Sequence, residues 1–277
     1  MGLKESVKHL LRMCGHAMVS TIHDRLNAIE YELKEIASSQ TALLQSNIHI
    51  LETLPQLRQA IYVDPSDAAP ANAETALMSF LYSFLGTRGA VDVGAQTGEV
   101  AERLLKTGYE VYAIEPHALS YGTLCSRLKT YPSFRALDIQ LNGVHTLADL
   151  HREGTVPSDV SLVRISAQGH ELAIIRGMKE HRYPVVAADF RESPAASPAG
   201  GGMGPLIAEM RTRGYAWFAV LYRTGGQELV SYFCNQDIPV PRSWGKVFFF
   251  RDRELFSQAQ EWCASALPRT YFKPSSR

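Results

Sequence analysis

The residues with the most chemical content are Asp92, Gly94, Gln96, Thr97 and Gly98, with Glu115 a short way downstream. The first five lie in the run Val91-Asp92-Val93-Gly94-Ala95-Gln96-Thr97-Gly98-Glu99, and the acid closes a second run, Val111-Tyr112-Ala113-Ile114-Glu115. Glycines at the mouth of a strand let the backbone approach a ligand. A carboxylate at the end of the following strand can accept hydrogen bonds from two ribose hydroxyls. The spacing is not that of a pyrophosphate cradle, which needs a second close glycine so that the phosphates lie against a helix terminus. Gln96 stands where that glycine would be. A ligand with a ribose and no phosphate suits this turn, and S-adenosylmethionine (SAM) is such a ligand. Its amino-acid end can meet the backbone near Gly94 and its ribose can meet Glu115.

Proton-transfer candidates are fewer. His170, just after Gly169, and Asp189, at the end of an apolar run, are the two read as general bases, since an imidazole titrates near ~6.5 and a carboxylate can accept a hydroxyl proton. The histidines and acids show no spacing that suggests a metal site.

These residues need strands and helices to position them. Apolar runs predict strands at 90–93, 110–114, 161–165, 185–190, 216–222, 229–234 and 247–250, with a reduced strand region at 134–139. Helical patterns fall between the first of these, and 73–85 and 206–214 also read as helices. The last three strands follow one another through turns, one at Gly225-Gly226, which predicts an antiparallel edge. The stretch 193–204 is dense in Gly, Pro, Ala and Ser and reads as a loop at the carboxyl edge of the sheet.

Ahead of this domain the apolar residues fall into heptads. Ile22, Ile29, Ile36, Leu43, Ile50 and Leu57 form one set, and Leu26, Leu33, Leu54 and Ile61 fall in the other with Gln40 and Asn47. That 3-4 spacing predicts a coiled coil that would make the protein a homo-oligomer. The predicted organisation is a helical region at 1–62, a linker at 63–73, an α/β domain at 74–266 and a flexible tail at 267–277.

The totals bound the function classes. Lys plus Arg and Asp plus Glu are both 28 in 277 residues, so bulk charge points to no nucleic-acid partner. The cysteines, Cys14, Cys125, Cys234 and Cys263, are scattered without C-x-x-C spacing and read as reduced thiols of a cytoplasmic protein. No apolar run approaches the roughly 20 residues that a bilayer span needs.

Three ordered segments resemble the FkbM family of SAM-dependent methyltransferases. The first is Val91-Asp92-Val93-Gly94-Ala95-Gln96-Thr97-Gly98, similar to the family's DVGANxG turn. The second is Ile114-Glu115-Pro116, and the third is Thr146-Leu147-Ala148-Asp149-Leu150 followed by 160–177. The resemblance implies a Rossmann-like methyltransferase sheet, SAM as cofactor with Asp138 of the reduced 134–139 region as the polar residue that could reach its adenine amine, and O-methylation of a carbohydrate or other hydroxylated small-molecule or glycan acceptor. The family carries acids where this chain has Ser166 and Gln168, and only Glu171 of that acidic set remains. A second reading therefore stands beside the first: a catalytically degenerate methyltransferase fold that binds or scaffolds, assembled through its coiled coil.

Overall fold

The glycine turn opens from the strand at the centre of a parallel sheet. The computed structural model describes residues 72–192, 202–224, 230–236 and 240–267; the predicted heptads, the linker up to residue 71, residues 193–201 of the predicted loop and the tail from 268 lie outside them. In chain order the elements are α1 (Asn72–Leu81), a 3-10 turn (Tyr82–Phe84), β1 (Gly89–Val93), α2 (Glu99–Thr107), β2 (Glu110–Ile114), α3 (Ala118–Leu128) and β3 (Phe134–Leu137). Then come α4 (Leu147–Arg152), β4 (Val160–Ile165), α5 (Glu171–Arg176), β5 (Val185–Arg191), α6 (Met203–Thr212), β6 (Trp217–Thr224), β7 (Ser231–Cys234), β8 (Ser243–Phe250) and α7 (Arg253–Ala266).

The eight strands form one sheet in the order β3-β2-β1-β4-β5-β8-β6-β7. The first five pair in parallel, and β8 joins β5, and β6 joins β8 and β7, antiparallel. The result is a Rossmann-like, mostly parallel α/β sheet with an antiparallel edge. The chain runs outward from β1 to β3, then returns to lay β4 against the other side of β1. The strand order therefore reverses between β1 and β4, and ligands of open α/β sheets bind beyond the carboxyl ends of the strands at such a point. The last three strands are not laid down in sequence order: β8 slots between β5 and β6.

The sheet is covered on both faces because its strands alternate sides with period two. Ala90, Val111, Ala113, Leu162, Val185, Ala187, Ala219, Leu221, Phe248 and Phe250 pack under α1, α2, α3 and α7. Val91, Val93, Val163, Ile165, Val186, Ala188, Val220 and Phe249 pack under α4, α5 and α6. Leu77, Met78 and Leu81 of α1 are fully buried, and each stabilises the fold by about 1.5–3 kcal/mol. The predicted helix at 206–214 begins earlier, so that Met203 and Gly204 of the predicted loop are helical. The cause is Glu192, whose Oε1 accepts from the amide of Met203 at 2.8 Å and satisfies a free donor of the first turn.

The Thr146-Leu147-Ala148-Asp149-Leu150 segment is a helix start. Thr146 is the N-cap of α4, and its hydroxyl and the Asp149 carboxylate bond each other's backbone amides in a capping box. Among the described residues, no helix is long and apolar enough to cross a membrane.

Candidate functional site

Six strands carry a polar side chain on the α1/α2 face at the carboxyl end of the sheet. The two-residue period carries the face of Ala113 to Glu115, of Ala90 to Asp92, of Leu162 to Arg164, of Ala187 to Asp189, of Phe248 to Lys246 and of Leu221 to Arg223. The parity turns six separate charges, each at the carboxyl end of the sheet, into one row.

At the β2 end of that row, Glu115 is 5% exposed. Its Oε2 accepts from the Gln96 amide at 2.7 Å and its Oε1 from the His117 amide at 2.9 Å. The acid thus ties the glycine turn to the start of α3. A carboxylate offers about four acceptor sites, so two remain for hydroxyl donors. Gln96 is exposed with φ +51°, in the left-handed region, and Thr97 is half-buried beside it. Asp138 is exposed immediately after β3, at the same edge of the sheet.

The glycines have internal reasons to be glycine. At Gly94 φ is +75°, and an added Cβ would stand 2.0 Å from the Ser166 carbonyl oxygen, so the turns after β1 and β4 are in contact. At Gly98, φ +87°, it would meet the Leu124 methyl at 2.7 Å and the Leu128 methyl at 3.0 Å. Gly98 therefore lets α3 pack against the turn, while Gly94 lets the turns after β1 and β4 close up.

Asp92 is 0% exposed, and its Oδ1 receives the Arg164 guanidinium at 2.6 Å. Burial works against the charge of Arg164, but the attraction of Asp92 and then of Asp189 outweighs it and raises its pKa further. The second oxygen of Asp92, Oδ2, is buried with no hydrogen-bond partner.

On the other side of β4, Asp189 accepts from the Ser166 hydroxyl through Oδ2 and is ion-paired with Lys246 through Oδ1. Burial would raise the Asp189 pKa, but the attraction of Lys246, then of Arg164, holds the carboxyl below its ordinary range. Asp189 therefore stands as an ionised acceptor, about a third (37%) exposed. Arg223, the last of the row, is bound through both terminal nitrogens to the carboxylate of Glu74 in α1.

His170 is the exposed residue preceding α5, and its ring caps nothing. The loop after β4 is held instead by Glu171, whose two oxygens accept from the amides of Ala167 at 3.0 Å and Gly169 at 2.9 Å. Glu171 is buried and turned inward, and Gln168 at φ +49° is exposed.

Sequence reasoning missed Arg164, Lys246, Arg223 and Glu74. A signal was present for the first three: each is a lone charge in a strand otherwise apolar on its inner face. What the sequence lacked was the pairing that makes Arg164 the partner of Asp92 and Lys246 the partner of Asp189. Among the described residues, each of the three bases has an acid, whereas Glu115 and Glu171 are held by amides alone. The amide-held Glu115 carboxylate and the unpartnered Asp92 Oδ2 are thus acceptors at this edge that no base of the row occupies.

A cavity of about 330 Å³ lies elsewhere, near the amino end of β5, lined by His151, Arg152, Lys179 and His181 among others. None of the candidate residues lines it.

No family model matches the chain, and no curated protein matches it. Among solved structures it is similar to the precorrin-6y C5,15-methyltransferase of Geobacter metallireducens GS-15, at 11% identity and TM-score 0.44, covering 69% of this chain and 94% of that one. It is also similar to the N-methyltransferase NodS of Bradyrhizobium japonicum WM9, at 12% identity and TM-score 0.42, covering 65% and 94%. A third is the N-terminal domain of EvdMO1 with SAH bound, at 11% identity and TM-score 0.45, covering 66% and 81%. Likeness at this level is one of strand and helix outline and says nothing of this chain's ligand.

Proposed function

We propose that the chain is a SAM-dependent methyltransferase whose acceptor is a carbohydrate or another hydroxylated small molecule or glycan. The observation that carries this reading is Glu115, a buried carboxylate at the end of β2 that clasps the Gln96 amide of a phosphate-unsuited glycine turn. Its remaining acceptor sites would take the two ribose hydroxyls, and Asp138 would take the adenine amine. The unpartnered Asp92 Oδ2 suits a positively charged group such as the ammonium or sulfonium of SAM. When bound, the cofactor would supply an electrophilic methyl group. The chain's part is positioning, which accounts for much of the rate in such transfers. Asp189, kept ionised by Lys246 and fixed by Ser166, would accept the hydroxyl hydrogen of the acceptor and orient its oxygen. His170 is the other candidate for the proton.

The FkbM resemblance is the finer form of this reading, supported by the order of its three segments along β1, β2 and the α4–β4–α5 unit. The heptads at 22–61 would assemble the chain as a homo-oligomer, for which light scattering should return a mass of more than one chain.

Titration calorimetry with SAM tests the cofactor: binding that Glu115→Ala weakens at least tenfold is expected, and no heat at millimolar SAM would overturn the reading. One observation favours a second reading, a non-catalytic scaffold on the same fold. Glu171, the last of the family's acidic set, is used up in holding its own loop. Methyl transfer to any acceptor, lost in Glu115→Ala, would exclude the scaffold.

A further inference from the structure

The row of charges ends in a feature that cofactor binding leaves unused. Arg191 of β5, Trp244 of β8 and Arg223 of β6 are direct cross-strand partners. By strand parity they share the face of Asp189 and Lys246, one step further toward the carboxyl edge. Trp244 is 38% exposed, whereas Arg223 is 2% exposed. The Arg223 guanidinium lies over the indole ring, 5.0 Å from its centroid, and is itself held by Glu74. Burying an arginine and a glutamate together gains little stability over an apolar pair of the same size. What the arrangement achieves is a ring fixed in place by a cation from within while still open to solvent.

We propose that Trp244 is the acceptor platform of the enzyme. It would take the apolar face of a ring-bearing acceptor, while Asp189 accepts a hydrogen bond from a hydroxyl of the same molecule. Three observations converge on it. The platform is on the β5–β8–β6 side of the carboxyl edge, and the glycine turn and Glu115 are on the β1–β2 side, so acceptor and cofactor would enter from opposite ends of one row. Asp189 sits diagonally behind Trp244, across from Lys246, with its carboxylate partly exposed. An ionised carboxylate only accepts hydrogen bonds, so it selects hydroxyl donors, and an indole face selects a ring over an open chain. Trp244 is thus a specificity-determining residue, and this assignment rests on the SAM reading above.

The test uses the full chain, saturated with S-adenosylhomocysteine (SAH), and follows the indole N–H signals of Trp217, Trp244 and Trp262 by NMR. Methyl β-D-glucopyranoside is the ring probe and sorbitol the open-chain control, each taken to about 50 mM to reach millimolar affinities. The glucoside should move the Trp244 signal and leave the other two; sorbitol should move none. Asp189→Asn should weaken the glucoside response roughly fivefold or more, the loss of a charge-assisted hydrogen bond. Trp244→Phe serves only to assign the signal. With SAH bound, an unmoved Trp244, or an equal response to sorbitol, overturns the platform and leaves the cofactor reading intact. Failure of SAH itself to bind overturns the reading on which the platform rests.

Discussion

Asp92 and Arg164 stand opposite each other across β1 and β4, at the point where the strand order reverses, with the guanidinium 2.6 Å from the carboxylate. The pair lies at the proposed ligand site and carries both structure and charge. Removing one member leaves a buried charge without its partner, which costs about 3–5 kcal/mol. Arg164→Met should lower the unfolding free energy by that amount, read as a lower urea midpoint at an unchanged m-value. The double variant Asp92→Asn with Arg164→Met should recover part of the loss, since no uncompensated charge remains. An Arg164→Met chain as stable as the parent would remove the pair from the fold's support.

Gly94 and Gly98 should not be equivalent. At Gly94 a methyl group would strike a backbone carbonyl, which cannot move without parting β1 from β4; at Gly98 it would strike leucine methyls that can turn aside. Both substitutions carry the left-handed penalty of roughly 1–2 kcal/mol. Gly94→Ala should therefore cost clearly more than Gly98→Ala, and thermal melts of the two variants make the comparison directly.

Asp149 ties stability to acid pH. The Thr146 hydroxyl chiefly holds its pKa down to about 2, against a burial effect that would raise it, with the Thr146 amide, Lys179 and Arg152 assisting. A carboxyl depressed in the folded state stabilises it above the unfolded value, near ~3.9, and loses that effect as pH falls through the folded value. Asp149→Asn should be less stable than the parent at neutral pH, and the gap should close as pH falls from about 4 toward about 2. Denaturation curves across that window measure it; a gap independent of pH would contradict it.

Tyr215 locks the start of β5. Its hydroxyl donates to the Tyr183 carbonyl and accepts from the Tyr183 amide, both at 2.8 Å, and burial pushes its pKa up to about 12. Tyr215→Phe leaves two buried backbone groups unsatisfied and should cost about 1–3 kcal/mol. Hydrogen exchange at the Tyr183 amide should rise in the same variant.

The parallel half of the sheet was legible because its signals are local. Val91 and Val111 head apolar runs that end in a glycine turn and an acid, and β1 and β2 fall where those runs predict. The antiparallel edge was legible as a type and not as an order. Nothing near Val247 in the chain says that β8 will lie between β5 and β6, because that choice depends on pairing with residues some 60 positions upstream as well as with its near neighbour. The candidate site divides in the same way. Gly94 and Glu115 announce themselves by spacing. Lys246 is a lone charge beside a core run, with nothing local to name Asp189 as its partner, and Glu74 sits in a helix before the domain's first strand.

By itself, then, the sequence determined the faces. A strand's period of two fixes which residues of one strand share a face, Asp92 with Ala90, Arg164 with Leu162, Asp189 with Ala187 and Lys246 with Phe248, while packing on the sheet brings those faces to the same side. Only the tertiary structure decided who meets whom: Asp92 with Arg164, Asp189 with Lys246 and Ser166, and Arg223 with Glu74 and Trp244. The physical reason is that periodicity is a property of the local backbone, whereas a charge acquires its meaning from a partner that only long-range strand order brings within hydrogen-bond reach.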